Sequence, residues 1–368
     1  MILPRLINRI THNAQLFGSQ FPTVGDSKTY HLTENDHWLA GFWTGLLWLA
    51  YAASGREELR LKAEALLLLF EDRLDRQIHI THDLGFLFTL SARAQWQLTG
   101  DAHARDLAIR AALQLADRYR PLGAYIQAWG PVGDPQDGGR MIIDTMMNLP
   151  LLFWASAELN QPRLHEIAEK HAHTTARFLL RPDVSSYHTF LFDPETGQPL
   201  RPQTHQGYAD NSLWARGQGW VIYGFTVASE WCQSADFRDL AVRAAERFMA
   251  ELPADHIPRW DLRLPPDAPS YPDTSASAIA AAGMFRLAKL VEPDRAAVLR
   301  SNAQMLLDAL LDQMLETDSE GQGLLRGSTY HAHKGWGVDA YFICGDYFFL
   351  EALLHDSAPD FWGRSNLT

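Results

Sequence analysis

Cysteine is scarce in this chain of 368 residues, and long apolar runs are missing. The two cysteines, Cys232 and Cys344, cannot form a disulfide framework, and such scarcity is typical of proteins from a reducing compartment. No stretch reaches the roughly 18 consecutive apolar residues of a membrane-spanning helix, so no membrane span is predicted. The N-terminal segment lacks the apolar core of a signal peptide and instead matches an amphipathic helix. We therefore expect a cytoplasmic protein.

Basic residues are too few and too scattered for a nucleic-acid partner. The chain has 32 Lys and Arg against 44 Asp and Glu, a formal net charge of -12, and no clustered basic face. A nucleic-acid binder needs such a face to displace the counterions of the phosphate backbone. The motifs G-x-x-x-x-G-K-[ST] and G-x-S-x-G are also absent, which disfavours phosphoryl transfer and serine hydrolysis.

Histidine pairs give only weak evidence for a metal site. One residue separates His171 from His173, and one separates His331 from His333, but neither pair has a recognisable third ligand. The first pair falls in a predicted outer helix, where exposure to solvent is the simpler interpretation. We therefore predict no metal and no other cofactor.

Six segments repeat one theme, a polar or acidic start followed by an apolar run, and charged segments with one polar face lie between them. This alternation predicts an all-α fold, an (α/α)6 barrel of six inner and six outer helices, in a single domain over residues 1–368. The inner segments begin near Asp36, Asp83, Asp144, Asp210, Asp273 and Gly335. The outer helices are predicted at residues 4–17, 56–74, 102–119, 161–180, 235–253 and 294–316. One short hairpin is predicted around residues 187–192, which precede a DPETG turn.

The starts of the inner helices predict a pocket. If these helices run in the same direction, Asp83, Asp144, Asp210 and Asp273 surround one end of the barrel. For each Asp taken singly, capping of a helix is the simpler interpretation. Capping does not explain the aromatic and small residues that follow, nor why several of the 12 Trp lie beside polar or acidic residues. Sugar rings stack on indoles, so a carbohydrate site explains both features.

Asp83 and Asp144 are the best candidates for catalytic carboxylates. Asp83 has a His before it and a Gly two positions after it, and Asp144 follows three apolar residues. Burial raises the pKa of a carboxyl, and two neighbouring carboxyls cannot both ionise cheaply. One acid and one anion are what the cleavage of a sugar requires.

A second constellation lies further along the chain. Arg216 and Trp220 are four residues apart, so they share one face of a predicted helix. The guanidinium is suited to bind a carboxylate while the indole stacks on a sugar ring. A buried arginine paired with an acidic residue of the protein is an equally good interpretation.

The motifs together resemble the unsaturated glucuronyl hydrolases, glycoside hydrolase family 88. The similar runs are WLAGFWTG at 38–45, HDLGF at 82–86, DTMMNLP at 144–150, GYADNSLWARGQ at 207–218 and GDYFFLEAL at 345–353. They occur in order over nearly the whole chain, and the run at 207–218 is the most specific. The resemblance implies the same (α/α)6 barrel.

The resemblance also implies a substrate and a reaction. Family members act on oligosaccharides that carry a 4,5-unsaturated uronic acid at the non-reducing end, as lyases leave on glycosaminoglycans. They hydrate the C4=C5 vinyl ether, and the hemiketal collapses to a keto acid and releases the remaining sugar. Asp144 would be the general acid/base and Asp83 its partner. The residues implied to contact the sugar are Trp38, His82, Trp129, His188, Gln206, Arg216 and Trp220.

A further expectation concerns the charge at the pocket entrance. Because the substrate is anionic and the protein carries -12, Arg216, His331, His333 or Lys334 must make the pocket entrance favourable. The loop at 331–335 is expected to bear on whether sulfated substrates fit.

The alternatives are an unsaturated rhamnogalacturonyl hydrolase, a conventional inverting glycosidase, an epimerase with histidines as acid and base, and a non-catalytic sugar-binding protein.

Overall fold

A computed structural model describes residues 2–364 and has the predicted (α/α)6 architecture. The outer helices are α1 (Leu3–Leu16), α3 (Glu57–Asp75), α6 (Ala102–Asp117), α8 (Pro162–Phe178), α10 (Ala235–Ala250) and α12 (Pro293–Ala309). Five inner helices are α2 (Ala40–Ser54), α7 (Leu149–Leu159), α9 (Ala215–Cys232), α11 (Thr274–Leu287) and α13 (Ile343–Leu353). The remaining inner helix consists of α4 (Leu84–Phe88), a π-helical turn (Thr89–Arg93) and α5 (Ala94–Thr99).

The pattern of burial separates the two rings. Nearly every residue of α9 and α11 is buried, as expected of helices enclosed on all sides. Buried residues of α8 recur at intervals of three or four, so only one face of that helix meets the core. His171 lies on this buried face, and its Nδ1 accepts a hydrogen bond of 2.9 Å from the Ile126 backbone N–H. The predicted exposure of His171 was therefore wrong, whereas His173 is exposed.

Several inner helices begin later than the sequence predicts. Helix α9 begins at Ala215, because Asp210 lies in a loop where its Oδ1 accepts the Thr204 backbone N–H at 2.8 Å. Helix α13 begins at Ile343 and not near Gly335. Gly335 and Gly337 have φ values of 64° and 52°, so the chain is not helical there. Asp83 and Asp273 do precede α4 and α11, but neither carboxylate caps its helix.

Three small antiparallel sheets lie among the loops. They are formed by β1 (Phe21–Gly25) with β2 (Tyr30–Thr33), β3 (Tyr119–Arg120) with β4 (Tyr125–Ile126), and β5 (Arg140–Ile142), β6 (Thr189–Phe192) and β7 (Pro199–Gln203) in that order. The pair β6–β7 confirms the predicted hairpin. Strand β5 was not predicted, and its pairing with β6 continues as a hydrogen bond from Ile143 N to His188 O at 3.0 Å. This sheet therefore brings Asp144 beside His188.

One hydrophobic cluster extends from Leu6 in α1 to Trp362 near the end of the described chain. Trp362 is fully buried, and its Nε1–H donates to Glu351 of α13 at 2.9 Å. Over residues 2–364, no helix is both long enough and apolar enough to cross a membrane.

Candidate active site

Asp83 and Asp144 lie at the same end of the barrel, each just before an inner helix. Asp83 precedes α4, and Asp144 lies in a 3₁₀ turn (Ile143–Met147) that leads into α7. Their exposed fractions are 8% and 7%, so both carboxyls are largely shielded from solvent. The Thr81 hydroxyl donates to Asp83 Oδ2 at 2.9 Å.

The surroundings of Asp144 favour its protonated form. Burial raises the pKa of Asp144 to about 7, and the Asp83 charge adds to this rise, while Arg216 opposes it. The Trp220 indole also lies close enough to favour the carboxylate. Among residues 2–364, Asp144 Oδ2 has no hydrogen-bond partner. Asp144 therefore combines a pKa near neutrality with an oxygen free to react, as a general acid requires.

His188 faces Asp144 as a neutral imidazole. Its Nδ1 accepts the backbone N–H groups of His205 at 3.1 Å and Gln206 at 3.0 Å, so the ring proton must be on Nε2. That Nε2 lies 4.0 Å from Asp144 Oδ2. Burial lowers the pKa of His188 well below its usual value, and the ring stacks on Trp214 with centroids 4.1 Å apart.

His82 lies beside Asp83 much as His188 lies beside Asp144. Its Nε2 lies 3.5 Å from Asp83 Oδ1, and its Nδ1 lies 3.1 Å from the Thr145 hydroxyl. Burial lowers the pKa of His82, so the imidazole is neutral. The structure therefore places His82, a predicted site residue, next to the Asp83 carboxylate.

Arg216 is completely buried beneath the pocket. Its Nη1 donates to Asp273 Oδ2 at 2.8 Å and to the Thr329 carbonyl at 3.0 Å, and its Nη2 donates to the Tyr330 carbonyl at 2.9 Å. Only Nε lacks a partner within the described chain. The Nη atoms of Arg216 thus follow the second interpretation, a buried arginine paired with an acidic residue of the protein. The positive charge of Arg216 still lowers the pKa of Asp144.

Aromatic side chains form the floor of the site. Trp220 is fully buried, with its ring centroid 5.4 Å from that of Phe86, and Trp38 lies 5.6 Å from Phe86 on another side. The Trp38 indole donates to the Tyr330 hydroxyl at 3.2 Å. Trp129 is half-buried and lies further out, 4.9 Å from the His205 ring.

The ring of four aspartates predicted around the pocket was only half right. Asp83 and Asp144 meet, but Asp210 is exposed on a loop, and Asp273 is fully buried against Arg216. Asp273 is 0% exposed, forms an ion pair with the buried Arg216 and accepts the Ser275 hydroxyl at 2.5 Å. In the described part of the chain, no three His, Cys, Asp or Glu side chains cluster as metal ligands would.

Tyr330 and Trp214 belong to the site but were not singled out in the sequence. The Tyr330 carbonyl accepts both Arg216 Nη2 and Gln206 Nε2, the latter at 2.7 Å. Trp214 lies between His188 and Arg216, with the guanidinium carbon 4.5 Å from its ring centroid. Trp214 was within reach of sequence reasoning because it lies inside the run at 207–218. Tyr330 comes from a distant loop and carried no such signal.

Of the four residues expected to supply positive charge at the entrance, Arg216 and His331 are buried, whereas His333 and Lys334 are exposed. Burial lowers the pKa of His331 to about 4, so this side chain is neutral and the expectation for it was wrong. Lys334 is exposed, with Nζ 4.4 Å from the Trp336 ring centroid. Arg140 lies over Trp129 at 5.2 Å. Lys334 and Arg140 both act electrostatically on His205, which lies beside Trp129.

An (α/α)6 barrel with two shielded carboxyls, one of them with a pKa near neutrality, and indoles close to them is an arrangement suited to a glycoside hydrolase. The model of the family described as Glycosyl Hydrolase Family 88 matches residues 13–349. The chain belongs to this family.

Individual relatives agree over almost the full length. The chain is 45% identical over 348 residues to an unsaturated glucuronyl hydrolase of Bacillus sp. (strain GL1), covering 93% of this chain and 92% of the relative. It is 38% identical to an unsaturated chondroitin disaccharide hydrolase of Streptococcus pyogenes serotype M1, covering 95% and 88%.

Solved structures give the same result. The crystal structure of the unsaturated glucuronyl hydrolase from Bacillus sp. GL1 superposes with a TM-score of 0.95 at 43% identity, covering 98% of both chains. A mutant of the enzyme from Streptococcus agalactiae, described as complexed with dGlcA-GalNAc6S, superposes with a TM-score of 0.83 at 32% identity, covering 98% and 93%. The predicted family and fold are confirmed.

Proposed function

We propose that this protein removes a 4,5-unsaturated uronic acid from the non-reducing end of glycosaminoglycan-type oligosaccharides produced by lyases. The single observation that carries the proposal is the pair Asp83–Asp144, in which burial and the neighbouring charge raise the pKa of Asp144 to about 7. The names of the relatives, unsaturated glucuronyl hydrolase and unsaturated chondroitin disaccharide hydrolase, support the substrate class.

The first step is the transfer of a proton from Asp144 to C4 of the unsaturated ring. Protonation of carbon needs an acid that keeps its proton near neutral pH, and a carboxyl with a pKa of about 7 does so. Positive charge then develops at C5 and the ring oxygen. The Asp83 carboxylate, held by the Thr81 hydroxyl, stabilises that charge electrostatically.

The second step is the addition of water at C5. Asp144, now a carboxylate, accepts a proton from the water, whose oxygen bonds to C5 and gives a hemiketal. His188 presents its Nε2–H 4.0 Å from Asp144 Oδ2, a gap that a single oxygen hydrogen-bonded to both atoms spans. Opening of the hemiketal leaves a keto group at C5 and a hemiacetal at C1, which releases the remaining sugar.

The other predicted residues are proposed to hold the sugar. Trp38 and Trp220 provide apolar surface for the ring, and Trp129 lies further out, where a second sugar follows. Arg216 contributes its buried charge and its free Nε toward the substrate carboxylate. Gln206, which is itself held by the Tyr330 carbonyl, completes the polar side of the site.

Entry of an anionic substrate is proposed to depend on Arg140 and Lys334. The whole chain carries -12, so long-range attraction must come from local cations. Both residues lie beside aromatic rings at the outer part of the site.

Two wider proposals rest on the chain as a whole. We propose that residues 1–368 form one domain, and the single hydrophobic cluster from Leu6 to Trp362 supports this. We also propose a cytoplasmic location, because the two cysteines, Cys232 and Cys344, are both free thiols.

The test uses a matched pair of disaccharides, unsaturated chondroitin disaccharide and its saturated counterpart. We expect the protein to abolish the ultraviolet absorbance of the conjugated alkene and to leave the saturated disaccharide intact. Asp144→Asn and Asp83→Asn should lose activity, while Asp267→Asn, an exposed control for the same substitution, should keep it. Cleavage of the saturated sugar, or no turnover of unsaturated chondroitin, hyaluronan or rhamnogalacturonan substrates, would overturn the proposal.

A further inference from the structure

Asn148 lies between the two segments that carry Asp83 and Asp144. It follows the 3₁₀ turn of Asp144, is fully buried and begins α7. Its Oδ1 accepts the backbone N–H of Phe86 at 2.6 Å, and its Nδ2 lies 3.3 Å from the Asp144 carbonyl. One side chain thus connects the backbone of the Asp144 turn to the first turn of α4.

These contacts fix the orientation of the carboxamide. A backbone N–H is only a donor, so the Asn148 atom that faces Phe86 must be the oxygen. The NH₂ group therefore faces the Asp144 carbonyl, which is only an acceptor, and also His82 Nδ1 at 3.3 Å. The contact with the Phe86 N–H and the contact with the Asp144 carbonyl therefore require the same orientation of the Asn148 carboxamide.

The close packing of Gly85 against Asn148 maintains this arrangement. A Cβ atom added at Gly85 would lie 2.2 Å from the Asn148 Cα and 2.5 Å from its carbonyl oxygen. Since backbone atoms on both sides would have to move, only glycine allows α4 to approach this closely.

The same group controls the tautomer of His82. His82 Nδ1 faces the Asn148 NH₂ group and the Thr145 hydroxyl at 3.1 Å, so Nδ1 acts as the acceptor and the ring proton is on Nε2. Nε2 lies 3.5 Å from Asp83 Oδ1. Asn148 and Thr145 therefore orient a donor toward the Asp83 carboxylate, whose charge in turn raises the pKa of Asp144.

We propose that Asn148 and Thr145 are positioning residues that set the relation between the two carboxyls by fixing the His82 tautomer and the approach of α4 to the Asp144 turn. The inference rests on the proposed roles of Asp83 and Asp144. Neither Asn148 nor Thr145 needs to touch the substrate. The other titratable groups that interact electrostatically with Asp144 are Arg216, His188, Tyr330 and Cys344. Those that interact with Asp83, besides His82, are His37, Arg73, Arg118 and Tyr330.

The test compares Thr145→Val and Asn148→Asp with matched controls. Thr226→Val removes another buried hydroxyl, on α9, and Asn13→Asp removes another buried amide donor, on α1. We expect both site variants to lose about tenfold or more in kcat with KM within about twofold of the wild type.

A spectroscopic measurement separates this inference from the proposed function. In protein labelled with ¹⁵N-histidine, His82 should show the Nε2–H tautomer, and Asn148→Asp, which replaces the NH₂ group facing Nδ1 by a carboxylate oxygen, should add the Nδ1–H tautomer. A wild type that turns over no unsaturated sugar would overturn the proposed function, whereas the NMR result would still test the tautomer. An unchanged tautomer in Asn148→Asp, or kinetics of the two site variants that match those of Thr226→Val and Asn13→Asp, would overturn the positioning role.

Discussion

The Nε2–H of His188 points across a 4.0 Å gap to Oδ2 of Asp144, and neither atom has a hydrogen-bond partner elsewhere in residues 2–364. Two buried polar atoms without partners are costly unless another group bridges them. In the proposed mechanism the bridging group is the attacking water or a substrate oxygen. His188 would then orient the nucleophile beside the acid.

Replacing His188 tests whether its Nε2–H orients the attacking water beside Asp144. We expect His188→Ala to lower kcat about a hundredfold, because the water loses its orienting donor. His188→Gln should retain part of the activity, since its amide N–H reaches toward the same position. Steady-state kinetics on unsaturated chondroitin disaccharide measures both. Equal activity of the Ala and Gln variants would contradict a donor role for this side chain.

Asp144 also makes a prediction for stability. Its pKa rises from 3.8 to about 7 on folding, so the folded protein binds a proton that the unfolded chain releases between these values. Stability attributable to this group is complete below pH 3.8 and is lost as the pH rises to about 7. Asp144→Asn should therefore stabilise the protein by about 1–3 kcal/mol at pH 8 and have little effect near pH 4.

Urea unfolding at the two pH values measures this difference, with Asp267→Asn as the control for an exposed carboxyl. A stabilisation of equal size at both pH values would show that the protonation of Asp144 is not its source.

The buried pair of Arg216 and Asp273 predicts a strong stability effect. Asp273→Asn leaves a buried guanidinium without its counter-ion and should cost about 3–5 kcal/mol. Adding Arg216→Met to that variant should recover part of the loss, because no charge then remains unpaired. Thermal unfolding of the two single variants and the double variant completes the cycle. Additive losses would contradict a direct pair.

Lys334 is predicted to act on substrate capture rather than on the chemical step. Its exposed ammonium lies at the entrance, so Lys334→Ala should lower kcat/KM several-fold at low ionic strength and leave kcat unchanged. The difference should shrink at about 0.5 M salt, where charges are screened within a few ångströms. A loss that persists at high salt would indicate a direct contact instead.

The fold was predictable from the sequence because its signal is repeated six times. Inner helices are apolar all round and outer ones on one face, and the structure keeps that distinction from α1 to α13. The start of α9 was misplaced because Asp210 has the appearance of a cap, whereas its carboxylate is used within a loop. Local pattern does not reveal such tertiary hydrogen bonds.

The site was predictable only where its residues cluster along the chain. Asp83 and Asp144 stood out by their neighbours, and the resemblance added His188 and Gln206. Tyr330 was missed because its hydroxyl and its carbonyl contact residues that are distant in the sequence, and its own segment carries no motif that predicts these contacts. His331 was expected to be positively charged, but burial lowers its pKa and keeps it neutral. The sequence around one loop residue does not predict whether its side chain is buried.

The most direct test of the account is to follow the unsaturated disaccharide by proton NMR in D₂O during turnover. If Asp144 protonates C4, the vinylic H4 signal disappears without any accumulation of free unsaturated uronate, and one deuterium enters at a single face of C4. Asp144→Asn should leave the H4 signal unchanged. Release of the second sugar before loss of the H4 signal, with free unsaturated uronate accumulating, would place the attack at the anomeric carbon and contradict hydration.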